Sequence, residues 1–315
     1  MTERQQQPDT AIQRLATLTC VVALLPITIG SLVTTLKAGM AFADWPTSDG
    51  HNMLLYPWLN DLKNTDKFVE HGHRLAGMVI GLYSIILLAV ALRRRASRSI
   101  QAWTMVILVA VIAQGMLGGM RVRMNEQTLA MIHSITGGLF FTLCWLFGQK
   151  VRREGKPAAN ENVQTGALGS FLVMALPVLV LGQYVLGGFF RHLGTMLHEH
   201  IGGAILVTIA AVSSTALLLR SGDHLLARRG RWLLAALLVQ VSLGILSWIT
   251  RMGFPLAGWV AVTGAPQQVL FCSLHTVGGM FLLATSASAG VEFYHAVRTG
   301  RVSSLNTVVP EGGLT

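Results

Sequence analysis

The stretch LAGMVIGLYSIILLAVAL, from Leu75 to Leu92, is uncharged throughout its eighteen residues. It follows Glu70-His71-Gly72-His73-Arg74 and precedes Arg93-Arg94-Arg95. Because the hydrocarbon core of a bilayer requires about 20 mostly apolar residues of helix, this stretch predicts a membrane-spanning helix with charged ends. The composition agrees, since 52% of the 315 residues are hydrophobic and only 12% are charged, which excludes an ordinary water-soluble domain.

Similar uncharged segments recur along the whole chain. We predict eight spans, at approximately 15–36, 73–92, 100–120, 129–148, 167–189, 199–219, 232–250 and 268–290. The expected fold class is therefore an all-α integral membrane protein with eight transmembrane helices. Glu3 and Asp9 make the polar start unlike a signal peptide, so we expect the first segment to be retained as a span.

The charges between the spans predict the orientation. The connectors on one side hold sixteen Lys and Arg residues and those on the other side hold eight. The positive-inside rule then places both termini in the cytoplasm and the chain in the cell (cytoplasmic) membrane as a multi-pass protein. The net charge of +10 is spread over connectors rather than collected into a basic stripe, so no nucleic-acid partner is expected.

A repeated pattern appears in the even-numbered spans. Each contains a histidine followed four residues later by a small residue: His73 and Gly77, His133 and Gly137, His200 and Ala204, His275 and Gly279. The third, fifth and seventh spans end in similarly spaced residues: Gln114, Leu117, Gly118, Gly119 and Arg121; Gln183, Leu186, Gly187, Gly188 and Arg191; and Gln240, Leu243, Gly244 and Arg251. Since each even span enters from the outer side, the four histidines are predicted at one depth in the outer half of the membrane.

This histidine pattern favours haem binding. Residues four apart share one helix face, so each imidazole would lie beside a flat patch on which a planar macrocycle can rest. Two histidines from facing helices can ligate one haem iron, which suggests the pairs His73 with His133 and His200 with His275. The alternatives are helix packing through small residues and histidines that only hydrogen-bond a neighbouring helix. A copper or zinc site is less favoured, because three of the four histidines lack a neighbouring carboxylate or cysteine.

The sixth span leaves two candidate ligands. His198 has Gly202 four residues later, so it satisfies the same spacing as His200. Alignment of His198-Glu199-His200 with His71-Gly72-His73 favours His200. Because residues two apart on a helix point roughly 200° apart, only one of the two histidines can face a given haem.

The two halves of the chain differ beside the first histidine of each. Glu70 lies three residues before His73 on the same helix face, whereas the sequence Leu197-His198-Glu199-His200-Ile201 has no matching glutamate or arginine. We therefore predict Glu70 as a catalytic acid or base in the first half, and Arg74 as a contact for a macrocycle propionate. The alternative for Glu70 is a helix-start charge favoured by the helix dipole.

In this order the motifs resemble the heme A synthase family. The resemblance rests on Glu70-x-x-His73-Arg74, on Asp44-Trp45-Pro46 with Gly50, and on the histidines at 133, 200 and 275. It implies two related four-helix bundles and an oxidoreductase that converts a methyl group of haem O to a formyl group by successive hydroxylations. The product, haem A, is required by terminal oxidases. His73 and His133 would hold the substrate haem O, and His200 and His275 would hold a haem b.

The resemblance also implies an organisation into domains. Residues 1–149 would form the first bundle with the haem O site, 150–166 a cytoplasmic linker, and 167–315 the second bundle with haem b and a short tail. Implied partners are the lipid bilayer, the enzyme that produces haem O and a membrane electron acceptor, while the oligomeric state is left open. The outer loops lack the cysteine pairs found in many family members, and Ile201 replaces the arginine often found after the third histidine.

Two rival functions remain. A dihaem b-type electron-transfer protein, linked to quinol, would carry a similar set of histidines but would not need Glu70. A transporter built from repeated halves predicts charged or broken helices near the midplane, for which Pro26 and Pro177 are the only hints.

Overall fold

The structure, a computed structural model, describes residues 9–154 and 163–304. Within these residues eight helices are long and apolar enough to cross a membrane, which confirms the predicted all-α multi-span fold. They are α1 (Thr10–Leu36), α2 (Thr65–Arg93), α3 (Arg98–Met124), α4 (Gln127–Arg153), α5 (Ala167–Leu193), α6 (Leu197–Arg220), α7 (His224–Met252) and α8 (Pro266–Arg298).

Most helices extend beyond the spans predicted from apolar runs, because polar residues cap their ends. The side chain of Asn64 accepts a hydrogen bond from the backbone of Lys67, so α2 begins at Thr65 rather than near His73. His73 therefore lies about two turns inside the helix. Similar capping side chains start four other helices: Asp9, Ser97, Glu126 and Asp223.

The helices pack as two closed rings. In the first ring α2 lies between α1 and α3, and α4 packs against both α3 and α1. In the second ring α6 lies between α5 and α7, and α8 packs against both α7 and α5. The seam between the rings is formed by α1 and α4 on one side and by α5 and α8 on the other.

We name the ends of the rings by their connectors. The outer end carries the connectors 37–64 and 253–265, and the opposite end is the inner end. The apolar core of each ring occupies its inner half, built around residues such as Leu87, Ile107, Phe141 and Phe147 in the first ring, and Leu176, Leu218 and Leu233 in the second. The outer half of each ring is thereby left to the histidines.

The inner end is more ordered than the sequence predicts. Residues 150–166 were expected to form a cytoplasmic linker and the second bundle to end in a short tail, yet α4 continues to Arg153 and α8 to Arg298. Glu292 on α8 is 1% exposed and pairs with Arg153, Arg229 and Arg301. Two short strands, β1 (Val163–Thr165) and β2 (Val302–Ser304), pair in parallel beside this cluster. Residues 155–162 and 305–315 of the expected linker and tail lie outside the described residues.

Candidate functional site

The structure brings the predicted histidines together in two pairs. The ring centroids of His73 and His133 are 6.1 Å apart, with an angle of 84° between the ring planes. Those of His200 and His275 are 6.3 Å apart, with an angle of 81°. Each ring of helices thus contains one pair, and the two pairs have nearly the same geometry.

This separation fits one metal ion between two imidazoles. Because metal–imidazole bonds are about 2 Å long, two rings that bind one metal from opposite sides have centroids about 6 Å apart. Each pair supplies only two ligands, and the described residues contain no group of three or more His, Cys, Asp or Glu that would hold a bare ion. Two axial ligands are what a haem iron requires, since its macrocycle provides the others.

A hydrogen bond fixes which nitrogen of His73 is available. Its Nδ1 lies 2.8 Å from the carbonyl oxygen of Pro26, and because a carbonyl only accepts, Nδ1–H must donate. The lone pair is then on Nε2, the nitrogen left for a metal. Nδ1 of His133 and of His275 has no hydrogen-bond partner among the described residues, but the backbones of Gln114 and Gln240 lie beside these rings as that of Pro26 lies beside His73, so by the same arrangement Nε2 is the nitrogen left for a metal.

Each of the four histidines rests on a glycine of the preceding odd helix. A Cβ added at Gly30 would lie 2.7 Å from Cε1 of His73, and the corresponding distances are 3.0–3.1 Å for Gly118 with His133, Gly187 with His200 and Gly244 with His275. A side chain at any of these positions would push the imidazole away. The glycines therefore set how closely each ring approaches its neighbouring helix.

The glutamine–glycine repeat of the odd helices is explained by this contact. The backbones of Gln114, Gln183 and Gln240 lie beside the histidines at 133, 200 and 275, and each glutamine precedes by four residues the glycine on which that histidine rests. Pro26 and Gly30 form the fourth copy in α1. Sequence reasoning missed this copy because proline replaces glutamine, although the four-residue spacing to glycine was available as a signal.

The flat patches predicted beside the histidines differ between the rings. Among the described residues no atom lies within 4 Å of a Cβ built on Gly77 or Gly137, so the first ring has open space beside both histidines. In the second ring the matching position is partly filled, because a Cβ at Gly279 would lie 3.2 Å from the ring of Tyr184. The first ring therefore offers the larger free surface.

His200, and not His198, faces the partner histidine in the sixth helix. The ring of His200 lies beside His275 and on Gly187, and its Nδ1 is 2.9 Å from Nε2 of Gln183. His198 is exposed at the start of α6.

Glu70 is buried at the outer end of the first ring, where both of its carboxylate oxygens accept hydrogen bonds. It is 4% exposed, and its Oε2 accepts hydrogen bonds from the backbone N–H groups of Ala41 (2.7 Å) and Phe42 (3.2 Å). Its Oε1 accepts from Arg74 Nη2 at 2.8 Å. The carboxylate thus joins α2 to the outer connector 37–64, one turn from His73 on the same helix.

Arg74 is directed toward the same connector. Its Nη1 donates to the carbonyl oxygens of Asp44 (2.9 Å) and Thr47 (2.7 Å). Burial opposes ionisation of Asp44, but hydrogen bonds from the Thr47 side chain and from the backbone N–H groups of Gly50 and Asp49 outweigh it and lower the pKa of this carboxyl. Arg74, predicted to contact a macrocycle propionate, therefore holds in this structure the loop that contains Asp44-Trp45-Pro46.

The connector reaches across the ring as far as α3. The indole of Trp45 lies against Gly119, where a Cβ would overlap it, and the guanidinium of Arg121 donates to the carbonyl of Gly39. Gly119 follows Gly118, on which His133 rests. The connector therefore lies close to both histidines of the first pair and covers the outer end of the ring.

The comparison with protein families agrees with this site. Residues 13–201 match the model of a family described as cytochrome oxidase assembly protein. The chain belongs to this family. The matched segment contains Glu70 and the histidines at 73, 133 and 200, and the resemblance that the motifs indicated is confirmed at the family level.

Curated relatives of this family member are heme A synthases. The heme A synthase of Bacillus cereus is 28% identical over 149 residues, which cover 45% of each chain. That of Mesorhizobium japonicum is 32% identical over 120 residues, covering 35% of this chain and 32% of the relative. That of Rhizobium rhizogenes is 31% identical over 111 residues, covering 33% and 30%. Each match spans less than half of the relative's length.

Proposed function

We propose that the protein is a heme A synthase, an oxidoreductase that converts a methyl group of haem O to a formyl group by two successive hydroxylations. The observation that carries the proposal is the pair His73 and His133, whose ring centroids are 6.1 Å apart, beside the buried Glu70. The chain that contains this pair belongs to the cytochrome oxidase assembly family. The second pair has nearly the same geometry, but no buried carboxylate lies beside it among the residues that the structure describes. One site therefore has the groups for chemistry and the other has only the ligands.

The two rings act as two domains in this proposal. Residues 1–149 form the bundle that takes the substrate, 150–166 the linker, and 167–315 the second bundle and tail. The closure of α1–α4 and of α5–α8 into separate rings supports this division. The open space beside Gly77 and Gly137 supports placing the substrate and its oxidation in the first bundle.

The substrate site uses residues of the first ring and its outer connector. His73 and His133 bind the iron of haem O and so fix the plane of its macrocycle. Glu70 moves a proton at its carboxylate during the oxidation of the methyl group, since a positioned acid or base is the usual requirement of such a step. The connector held by Glu70 and Arg74 closes the outer face and limits the access of water.

The second pair fits a resident haem b. The distance of 6.3 Å between the ring centroids of His200 and His275 is the feature that would suit an iron held by two imidazoles. When bound, haem b supplies one-electron transfer between the substrate site and an acceptor in the membrane. Gln183 fixes the position of His200 in α6, because its Nε2 donates to the carbonyl oxygen of His200 at 2.8 Å.

The proposed location is the cell membrane with both termini in the cytoplasm. The sixteen cationic residues of the inner connectors and termini, against eight on the other side, support this orientation. Both histidine pairs would then lie in the outer half of the bilayer. The proposed partners are the haem O-producing enzyme as donor, a membrane electron acceptor and the lipid itself.

Extraction of pigment after expression with and without a supply of haem O tests the proposal. A haem that carries a formyl group is expected only when both the chain and haem O are present. A His73→Ala chain is the matched control, because it lacks one ligand of the substrate pair and should yield no formyl haem. Haem O that stays unchanged in the presence of the folded, pigmented protein would overturn the proposed reaction.

A dihaem electron-transfer protein is the second candidate. The near-equal geometry of the two pairs, 6.1 and 6.3 Å with angles of 84° and 81°, favours it, since two equal sites suit a carrier. The same extraction distinguishes the two functions. An electron carrier would release only haem b under every condition.

A further inference from the structure

A histidine of the second ring lies near the first histidine pair. His192 is in the last turn of α5, one turn after Gly188. A Cβ at Gly188 would lie 3.2–3.4 Å from side-chain atoms of Ile135 and Met131, which flank His133 on α4. This face of α5 thus directs His192 toward the first ring, where it is within electrostatic reach of His133.

Nε2 of His192 is available for a further hydrogen bond. Its Nε2 is buried and has no hydrogen-bond partner among the described residues. An unpaired polar atom in such a place costs free energy and usually marks a position where a ligand or ordered group binds. The sequence patterns give His192 no role, and only the packing of α5 on α4 shows that its Nε2 is buried.

The surroundings of His192 are cationic. Its charged neighbours are Arg121 and Arg191. The carbonyl oxygens of Gly39 and Ser31 accept from these two guanidinium groups, and no carboxylate forms an ion pair with either within the part of the chain that the structure describes. Nε of Arg191 is also buried without a partner there. The carboxylate of Glu70 is within electrostatic reach of Arg121 but is already paired with Arg74, so this partly buried group keeps a net positive charge that favours binding of an anion.

We propose that His192, with Arg121, binds a carboxylate of the macrocycle held by His73 and His133. The imidazole donates its Nε2–H to the carboxylate, and the guanidinium supplies positive charge beside it, as in other charge-assisted hydrogen bonds. The second ring would then complete the substrate site of the first ring. This inference rests on the proposed function of the first pair as a haem-binding site.

A comparison of two ligands tests the contact. The full-length chain with His200→Ala and His275→Ala keeps only the first pair, and it is titrated with protohaem and with protohaem dimethyl ester, whose carboxylates are blocked. We expect the free acid to bind more tightly than the ester, by a factor of about ten or more, since hydrogen bonds to charged groups are among the stronger ones. Adding His192→Leu should remove most of this preference and leave ester binding unchanged. Adding His192→Gln, which keeps an N–H donor, should restore part of it.

Tyr184→Phe is the matched control at the same seam, because it removes another buried polar group within electrostatic reach of Arg191 and leaves His192 and Arg121 in place. It should keep the full preference for the free acid. Equal binding of acid and ester, or an acid preference that survives His192→Leu, would overturn the inference. Failure of both ligands to give a two-histidine haem spectrum would instead contradict the proposed function. In the unmodified chain, a propionate vibrational band that does not shift with His192→Leu would also overturn the inference.

Discussion

Gly30 and His73 approach each other more closely than the other three glycine–histidine pairs. A Cβ at Gly30 would lie 2.7 Å from Cε1 of His73, against 3.0–3.1 Å in the other pairs. The ring of His73 is also held by its hydrogen bond to the carbonyl of Pro26. The position of this proposed ligand is therefore set by the backbone of α1, so that a single methyl group there should displace it.

Gly30→Ala is expected to lower haem binding at the first pair while the second pair keeps its haem. The added Cβ cannot be accommodated without movement of the imidazole or of α1. Haem content per chain, measured by pigment extraction, should fall toward the single haem of the second pair, and the activity with haem O should be lost with it.

The control for this change is Gly115→Ala. No described atom lies within 4 Å of a Cβ at Gly115, so this substitution adds the same methyl group to a helix without touching a histidine. Haem content should remain that of the unmodified chain. Full haem binding by Gly30→Ala would show that the close contact does not position His73.

The sequence predicted the elements that depend on local patterns. Apolar runs give the number of helices, and the shared spacing of His73, His133, His200 and His275 gives their pairing, because helix periodicity and alternating direction determine depth. The helix ends were less accurate, since caps such as Asn64 extend a helix into polar sequence. A window of hydropathy detects the apolar part of a span but not its capped polar turns.

Other parts of the site depend on contacts between distant segments. The bonds of Glu70 to Ala41 and Phe42 join residues almost thirty positions apart, and no periodicity predicts which loop amide meets the carboxylate. His192 was missed for a similar reason, because only the packing of α5 on α4 shows that it is buried. The contact of Trp45 with Gly119 likewise required the path of the connector.

The sixth helix offers a direct comparison between two neighbouring histidines. His200→Ala should lower the haem b bound by the second pair, because His200 faces His275 at 6.3 Å between ring centroids. His198→Ala should leave the content of haem b unchanged, since His198 is exposed. Absorption of the purified protein measures both. Loss of haem absorption in His198→Ala but not in His200→Ala would show that His198, and not His200, is the ligand.

The orientation predicts a labelling pattern for single cysteines at exposed positions. A membrane-impermeant thiol reagent added outside should react with Thr263→Cys in the second outer connector and not with Ser99→Cys at the inner start of α3. Permeabilised cells provide the control, because both cysteines should then react. The opposite pattern would invert the topology and place the histidine pairs in the cytoplasmic half.

Glu292 is predicted to stabilise the inner end rather than to take part in chemistry. It is 1% exposed and balances Arg153, Arg229 and Arg301, so Glu292→Gln leaves buried cations with one fewer partner. Loss of one member of a buried ion pair typically costs about 3–5 kcal/mol, and thermal unfolding in detergent should show a clear decrease. Asp66→Asn, at an exposed site, should not change the unfolding temperature. Haem content per folded chain should remain normal in both variants.

Glu70→Gln separates the catalytic role of Glu70 from its role in holding the outer connector. The amide keeps the shape and an oxygen that can accept from Ala41 and Phe42, but it cannot exchange a proton as a carboxylate does. Formyl haem production should therefore fall by about 10² to 10⁴, the usual contribution of a general acid or base, while haem content stays near normal.

Arg74→Gln provides the matched comparison for Glu70→Gln. It removes the ion pair and the bonds to Asp44 and Thr47 but leaves the Glu70 carboxylate in place. If Glu70 is catalytic, Glu70→Gln should lower turnover strongly and raise protease cleavage of the connector 37–64 only a little. Arg74→Gln should instead raise protease cleavage strongly and lower turnover only a little. If Glu70 only holds the connector, the two variants should lose turnover and protease resistance in the same proportion. Full formyl haem yield from Glu70→Gln would remove the carboxylate from the mechanism and strengthen the case for an electron carrier.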